Sequence, residues 1–226
     1  MPAALSSSKP AVQTRPWGWI IFTIALIAFF SAFPPFRIIA KSTATKATAV
    51  QAGVAFDPRA VASDFWVNQL QPAARRAPEL NPILLDLRAD PAAAAKSHGH
   101  QVGLGGPVYF FARGSGRVVA VDRSRVVLAV DGRAETTVAL RTGPVFGNTL
   151  RDGCGLLDVN RAPGVEEFNA LSAELNRLVE ERVEPTLKRE ASVGAHLAFA
   201  GCAEVPEQVS DGPLLTIIPV QVEVKP

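Results

Sequence analysis

The hydrophobic pattern begins with an uninterrupted apolar segment near the N-terminus. Residues Trp17 to Phe33 contain no charged side chain, and the nearest charges are Arg15 before them and Arg37 after them. A helix of roughly 20 apolar residues spans the hydrocarbon core of a bilayer. Tryptophan at the start of the segment suits the headgroup level of the membrane. The pattern therefore predicts a transmembrane anchor over residues 17–36, which a proline pair ends.

A cleaved secretory signal is the alternative for this segment. The apolar region of such a signal is typically about 7–15 residues long and ends in a small-x-small site. Ala32 could take the last position of that site, but Phe30 is too large for the position two residues earlier. Because the linker directly after the segment contains no cysteine, lipid attachment after cleavage is not expected. We expect an uncleaved anchor, with a tail of residues 1–16 before it and a linker of residues 37–55 after it.

Short helical patterns follow the linker. Asp57 and Asp90 each stand before a proline, which places an N-capping carboxylate ahead of a residue suited to the first helical position. Between them, residues from Glu79 to Arg88 carry leucine and isoleucine at helical spacing. Residues 56–100 are therefore predicted to be helical.

The pattern then changes to short β-rich runs separated by turn residues. The runs are Val108 to Ala112, Gly116 to Val121, Val126 to Val130 and Thr136 to Leu140. The third and fourth are joined by Asp131-Gly132, a strong hairpin signal. Consecutive hairpins at this spacing indicate a meander that curls into a small barrel.

The barrel pattern is interrupted and then resumes. The remaining predicted elements are a polar loop from Gly143 to Gly164, an amphipathic helix from about Val165 to Glu184, and strands over His196 to Gly201 and Leu214 to Val224. The barrel is thus expected at 107–142 and 195–225, with an insertion at 143–190. An inserted helix is a familiar arrangement in oligonucleotide/oligosaccharide-binding (OB) folds. We predict an α+β protein: an N-terminal transmembrane helix, then a small antiparallel OB-like β-barrel with flanking and inserted helices. This analogy identifies no ligand.

The charge distribution separates the membrane region from the rest of the chain. Every acidic residue follows the linker, whereas the basic residues Lys9, Arg15, Arg37 and Lys41 lie beside the apolar segment. Without those four positive charges, the formal net charge of +2 becomes −2. The basic pI is therefore a property of the membrane flanks, and no basic patch indicates nucleic-acid binding.

The candidate binding residues lie in the loop that follows the fourth run. They are Asn148, Thr149, Arg151, Asp152 and Asn160. Arg151 offers a planar fork for a carboxylate or phosphate, and Asp152 can orient it or accept from a sugar hydroxyl. The alternative is that both residues pin the loop to the barrel by internal hydrogen bonds. Because adjacent residues rarely pair with each other, we expect each to have a separate partner.

The cysteines and histidines of the sequence give little indication of a metal or redox site. Cys154 and Cys202 are the two cysteines, and they form either one disulfide or two small buried side chains. Neither belongs to a C-x-x-C pair, and His98 and His100 have no further ligand at a suitable spacing. We predict no metal site, no cofactor and no catalytic residue.

Three glutamates of the inserted helix have basic residues nearby. Glu180, Glu181 and Glu184 lie within four residues of Arg177 or Lys188. Ion pairs at this spacing are typical of a solvated helix face, and we expect these glutamates to be exposed.

The stretch around the candidate residues resembles a bacterial family of predicted periplasmic lipoproteins. The resemblance covers about Phe56 to Gly201 and is carried by GPVFGNTLRDGCGLLDVN, FDPRAVASDFW, GRVVAV and VGAHLAFAG. This chain differs from the family at Gly164-Val165, where an Asn-Gln pair is usual. It also differs in the missing lipid-accepting cysteine. The resemblance implies a periplasmic domain over 56–226 and a cytoplasmic tail. Genes of this family commonly accompany sugar ABC transporters, which implies transporter components and a carbohydrate as partners.

Three functions are compatible with these features. The first is a non-enzymatic accessory or binding protein, anchored in the inner membrane, that assists carbohydrate ABC uptake. The second is an envelope hydrolase that acts on a glycan through Asp152 or Asp158 and another carboxylate. The third is a structural envelope module. The absence of a recognisable nucleophile and base favours the first.

Overall fold

The computed structural model describes residues 56–103, 105–158, 162–206 and 212–225. The predicted anchor at Trp17–Phe33 and the candidate residue Asn160 lie outside the described residues. Within the described part of the chain, no helix combines the length and apolar character needed to cross a membrane.

The first described segment is helical, as predicted. Its elements are α1 (Pro58–Phe65), a π-helical turn (Trp66–Leu70), α2 (Gln71–Ala74), α3 (Leu80–Ala89) and α4 (Pro91–His98). Asp57 caps α1, because its Oδ1 accepts hydrogen bonds from the backbone N–H groups of the second and third residues that follow. Asp90 caps α4 in the same way. Both predicted aspartate–proline helix starts are therefore confirmed.

Within the described residues, six strands form one sheet. They are β1 (His100–Gln101), β2 (Val108–Val121), β3 (Arg125–Val130), β4 (Arg133–Arg141), β5 (His196–Glu204) and β6 (Thr216–Val224). The hairpin at Asp131-Gly132 is confirmed, since β3 and β4 are antiparallel neighbours. The predicted turn between Ala112 and Gly116 is wrong, because β2 runs through it without a break.

Glycines explain why β2 is one long strand. Its first half pairs with β5 up to Arg117, and its second half pairs with β3 from Gly116 onward. The strand therefore changes partners where side chains are absent. A Cβ at Gly114 would lie 3.2 Å from Leu80, and a Cβ at Gly116 would overlap the carbonyl oxygen of Ala129. Gly116 thus permits the close approach of the β3 backbone, and Gly114 leaves room for the Leu80 side chain. The same glycines suggested a turn in the sequence.

The strand pairings run round in a ring. Strand β2 pairs with β3, β3 with β4, β4 with β6, β6 with β5, and β5 again with β2. The β4–β6 pairing is parallel and contains only two residue pairs, Ala139 with Thr216 and Leu140 with Ile217. The sheet is thus curled as expected for a small barrel, but its β4–β6 seam is short.

Hydrophobic side chains form two clusters on opposite faces of the sheet. One contains Phe110, Leu128 and Phe199 together with the apolar face of α3. The other contains Leu150 and Cys202 together with apolar residues of α1 and the long inserted helix. Strand β5 contributes to both clusters and is buried along most of its length. This strand therefore joins the sheet core to the inserted segment.

The described residues of the inserted segment between β4 and β5 form three helices. They are α5 (Thr149–Gly153), α6 (Val165–Arg182) and α7 (Glu184–Glu190). The predicted long helix is confirmed as α6. It ends at Arg182, because Pro185 in the first turn of α7 cannot donate the hydrogen bond that would continue it. The prediction of a loop from Gly143 to Gly164 is wrong in part, since α5 lies within it. Gly153 lets α5 approach the sheet, because a Cβ there would lie 3.1 Å from the Cβ atoms of Tyr109 and Cys202.

A polar network also links distant parts of the sheet. The Ser115 hydroxyl donates to Asp131 at 2.5 Å, and Lys225 donates to Ser115 Oγ at 3.1 Å. The His196 ring lies 2.8 Å from both carboxylate oxygens of Asp131. The Ser115 hydrogen bond lowers the pKa of Asp131, partial burial opposes this, and His196 and Lys225 lower the pKa further. The ionised carboxylate is therefore the form that the folded protein favours.

We expect Gly116→Ala to lower the free energy of unfolding by about 3 kcal/mol, because the added methyl would push β2 away from β3. Gly147→Ala is the matched control: its Cβ would meet no neighbour, and the cost is that of a positive φ angle, about 1 kcal/mol. Urea unfolding of the full chain in detergent micelles measures both. Equal losses would contradict the role given to Gly116.

The stability that Asp131 contributes should depend on pH. Because the folded-state pKa of Asp131 is lowered, its contribution to stability is present above the ordinary aspartate pKa and is lost as the pH falls through the folded-state value. Asp131→Asn should therefore melt at a lower temperature than the wild type at neutral pH, and the gap should close as the pH falls below the ordinary aspartate pKa. Ser115→Ala should show a smaller gap of the same sign. Parallel melting curves across this range would contradict the prediction.

Candidate functional site

Arg151 and Asp152 form a buried ion pair in α5. Arg151 Nε donates to Asp152 Oδ1 at 2.6 Å, and Arg151 Nη2 donates to Oδ2 at 2.9 Å. The two residues are only 7% and 8% exposed. The expectation that each would have a separate partner is therefore wrong. Since burial removes water from both groups, the neighbouring carboxylate becomes the strongest acceptor within reach of the guanidinium.

The remaining contacts of Arg151 tie α5 to α6. Its Nη1 donates to Asn169 Oδ1 at 3.0 Å and lies 3.4 Å from the carbonyl oxygen of Phe168. The guanidinium carbon also lies 4.0 Å from the centroid of the Phe168 ring, within the range of a cation–π contact. The alternative of internal hydrogen bonds is therefore correct in kind, but these bonds hold α5 to α6 and not the loop to the barrel.

The segment Gly143–Asn148, called here the 143–148 loop, is fastened along α6 and α7. Glu184 Oε1 accepts from the backbone N–H of Gly143 at 2.7 Å, and Glu180 Oε1 accepts from that of Val145 at 2.8 Å. Asn176 Nδ2 donates to the carbonyl oxygen of Gly147 at 3.0 Å. Three helical side chains spaced four residues apart thus bind three loop residues spaced two apart.

This arrangement corrects the expectation for the glutamates. Glu181 pairs with Arg177, and Glu184 pairs with Lys188 at 2.5 Å, as the spacing predicted. Glu180 and Glu184, however, are only partly accessible because they bind the backbone of the 143–148 loop. Unpaired loop N–H groups require acceptors, and these carboxylates provide them.

A groove of 390 Å³ lies between the 143–148 loop and α6. Its polar lining consists of Asn148, Asn169, Ser172, Asn176, Arg177 and Glu180. At its edge stands Phe146, which is 73% exposed. Asn148 precedes α5 without capping it through its side chain. Among the five predicted binding residues, the groove therefore includes Asn148 directly.

The other predicted residues are placed differently. Arg151 reaches the groove through its hydrogen bond to Asn169, while Asp152 is held by Arg151. Thr149 lines a second cavity of 440 Å³, together with Arg141 and Glu204. Phe146 borders this cavity as well as the groove. Asn148 therefore lines the groove and Thr149 lines the second cavity, although they are neighbours in the chain.

Sequence reasoning missed the helical side of the groove. Asn169, Ser172 and Asn176 are spaced by three and four residues, so they lie on one face of α6. The hydroxyl oxygen of Ser172 is buried and has no hydrogen-bond partner among the described residues. Polar residues at helical spacing beside an apolar stripe were the available signal, but they are also common on solvated helices.

The two cysteines are buried and hold free thiols. Both belong to the cluster between the sheet and the inserted helices. Burial raises the pKa of the Cys154 thiol to about 11 and that of Cys202 well above its ordinary value. Of the two alternatives for the cysteines, the structure supports two small buried side chains and not a disulfide.

The buried pair yields a stability prediction. Asp152→Asn should lower the free energy of unfolding by about 3 kcal/mol, because it leaves the Arg151 guanidinium buried without a counter-charge. Asp122→Asn is the matched control, since Asp122 and Arg125 form a half-exposed pair at 3.0 Å, and its loss should stay below about 1 kcal/mol. Chemical denaturation of both variants compares them. A loss at Asp152 no larger than at Asp122 would contradict a fixing role for the pair.

A known structure shares this architecture. The crystal structure of an OB-fold protein from Thermotoga maritima matches with a TM-score of 0.66 at 23% sequence identity, over 76% of this chain and 100% of the other. At this identity the likeness concerns the fold alone. It confirms the predicted α+β class and the likeness to an OB-fold.

Comparison of the sequence gives a match to a family model. No curated protein is significantly similar to this chain. The family model described as predicted periplasmic lipoprotein (DUF2291) matches residues 23–223, which is most of the chain. The chain therefore belongs to this family of predicted periplasmic lipoproteins.

Proposed function

We propose that the protein is a non-enzymatic accessory or binding component of a carbohydrate ABC uptake system, tethered to the inner membrane with its folded domain in the periplasm. The observation that carries the proposal is the division of roles between Arg151 and the groove. The strongest charged groups of the site are used up in an internal pair. The groove beside them presents amide and hydroxyl groups within a largely apolar lining, a combination that suits the binding of a small molecule.

The family supports the proposed location. Its members are described as predicted periplasmic lipoproteins, and an attachment to a membrane is in keeping with that description. The uncharged segment Trp17–Phe33 has the length and flanking charges of a single-pass anchor. The link to sugar transport rests on the gene neighbours that the family resemblance implies.

The alternatives receive less support. A glycan hydrolase needs a carboxyl group free to donate a proton or attack the sugar, and both oxygens of Asp152 are bound by Arg151. A purely structural module is expected to have no pocket near Arg151, yet Asn169 joins Arg151 to the groove. No specific observation favours either alternative over a binding role.

Co-purification tests the proposal. The tagged full chain, solubilised from membranes in mild detergent after crosslinking in cells, should recover the permease or the substrate-binding protein of a sugar ABC transporter. An unrelated single-pass inner-membrane protein with the same tag and expression level is the control. If no transporter component is enriched over that control, the proposed partnership is wrong.

A further inference from the structure

The inner side of the groove holds a hydroxyl group without a protein partner. Ser172 is 6% exposed, and its Oγ forms no hydrogen bond with any described residue. A buried hydroxyl without a hydrogen bond destabilises the fold, so such atoms are rare unless they serve a purpose. Because Ser172 also lines the groove, a ligand there could supply the missing hydrogen bond.

The amides beside Ser172 have fixed orientations. Asn169 Oδ1 accepts from Arg151, which leaves the Asn169 amide N–H groups as donors. Asn176 Nδ2 donates to Gly147, which leaves the Asn176 carbonyl oxygen as an acceptor. One helix face thus presents a donor, a hydroxyl and an acceptor in sequence. Such an array complements neighbouring hydroxyl groups, since each hydroxyl both donates and accepts.

The charges that border the groove are already paired. Arg177 donates to Glu174 at 2.7 Å and also to Glu181. Glu180 accepts from the Val145 backbone. The groove therefore offers an anion no free cation, and a neutral ligand fits better than an anionic one.

An aromatic ring completes the groove. Phe146 is exposed at the edge, and the hydrogen bonds of Gly143, Val145 and Gly147 hold the loop around it. Gly147 has a φ of +85°, a conformation that suits glycine. An exposed ring in a fastened loop offers a flat apolar surface, and the C–H face of a sugar ring is a matching surface.

We propose that the groove binds a neutral carbohydrate, with the sugar ring against Phe146. Its hydroxyls are bonded to Ser172 and to the three asparagines of the groove, Asn148, Asn169 and Asn176. This inference rests on the proposed function and specifies the ligand of its site. The volume of 390 Å³ lies near the lower end of the range for small-molecule sites, about 300–1,000 Å³. The ligand is therefore a free sugar of one or two rings or the end of an envelope glycan.

Direct binding tests this inference. The full chain is purified in a polyoxyethylene detergent, because glycoside detergents would compete. Saturation-transfer NMR and calorimetry then measure glucose, galactose, ribose and maltose as free sugars and N-acetylglucosamine trimer as a glycan end. At least one neutral probe should bind saturably, whereas glucuronate should bind about tenfold or more weakly, since its charge finds no free partner.

Two variants assign the binding to the groove. Ser172→Ala should weaken binding about tenfold while leaving the melting temperature unchanged or raised, because it removes an unpartnered hydroxyl. Phe146→Ala should also weaken binding about tenfold. Val193→Ala, a similarly exposed apolar residue outside the groove, should bind as the wild type does.

The outcomes separate this inference from the proposed function. The inference is overturned if no neutral probe binds, or if Ser172→Ala and Phe146→Ala both bind with wild-type affinity. Binding only of the trimer assigns the groove to envelope glycans. Sugar binding without recovery of a transporter component contradicts the proposed partnership alone, and recovery without sugar binding contradicts the inference alone.

Discussion

A buried ion pair between two adjacent residues holds two helices of the inserted segment, α5 and α6, against each other. Two charges removed from water are tolerated only where their hydrogen bonds are satisfied. Arg151 meets this condition with both oxygens of Asp152, the amide oxygen of Asn169 and the ring of Phe168. Because these partners lie on α5 and α6, the pair holds the two helices at one relative position. It also turns the Asn169 amide so that its donors remain available. A pair that contains no accessible charge therefore still determines the chemistry of the surface beside it.

The 143–148 loop is held by a different device. Its N–H groups would be left without partners at a bend away from the sheet, and Glu180 and Glu184 accept from two of them. Loops of this kind usually gain their conformation from turns within themselves. Here the acceptors come from the helical segment opposite, so the width of the groove is set by the length of a glutamate side chain. The loop is consequently fixed while Phe146, which makes none of these bonds, remains exposed.

Sequence reasoning succeeded where a single element determines the pattern. The helix caps at Asp57 and Asp90 and the amphipathic face of α6 are local features, and they could be predicted. The continuity of β2 could not, because Gly114 and Gly116 are equally suitable for a turn and for a close backbone approach. The groove was missed for the same reason. Ser172 is distinctive only because the opposite loop buries it, and that burial depends on contacts across the fold.

The sheet and the groove have separate origins, and this limits what the fold can say about function. The OB-like sheet supplies β5, whose buried faces support both hydrophobic clusters. The groove is built by the 143–148 loop and α6, both of which belong to the insertion between β4 and β5. A ligand bound on the sheet of another OB-fold protein would therefore meet different residues from those presented here. The chemistry of this site depends on Ser172, the three asparagines and Phe146, and only proteins that retain the insertion with these groups should share its ligand.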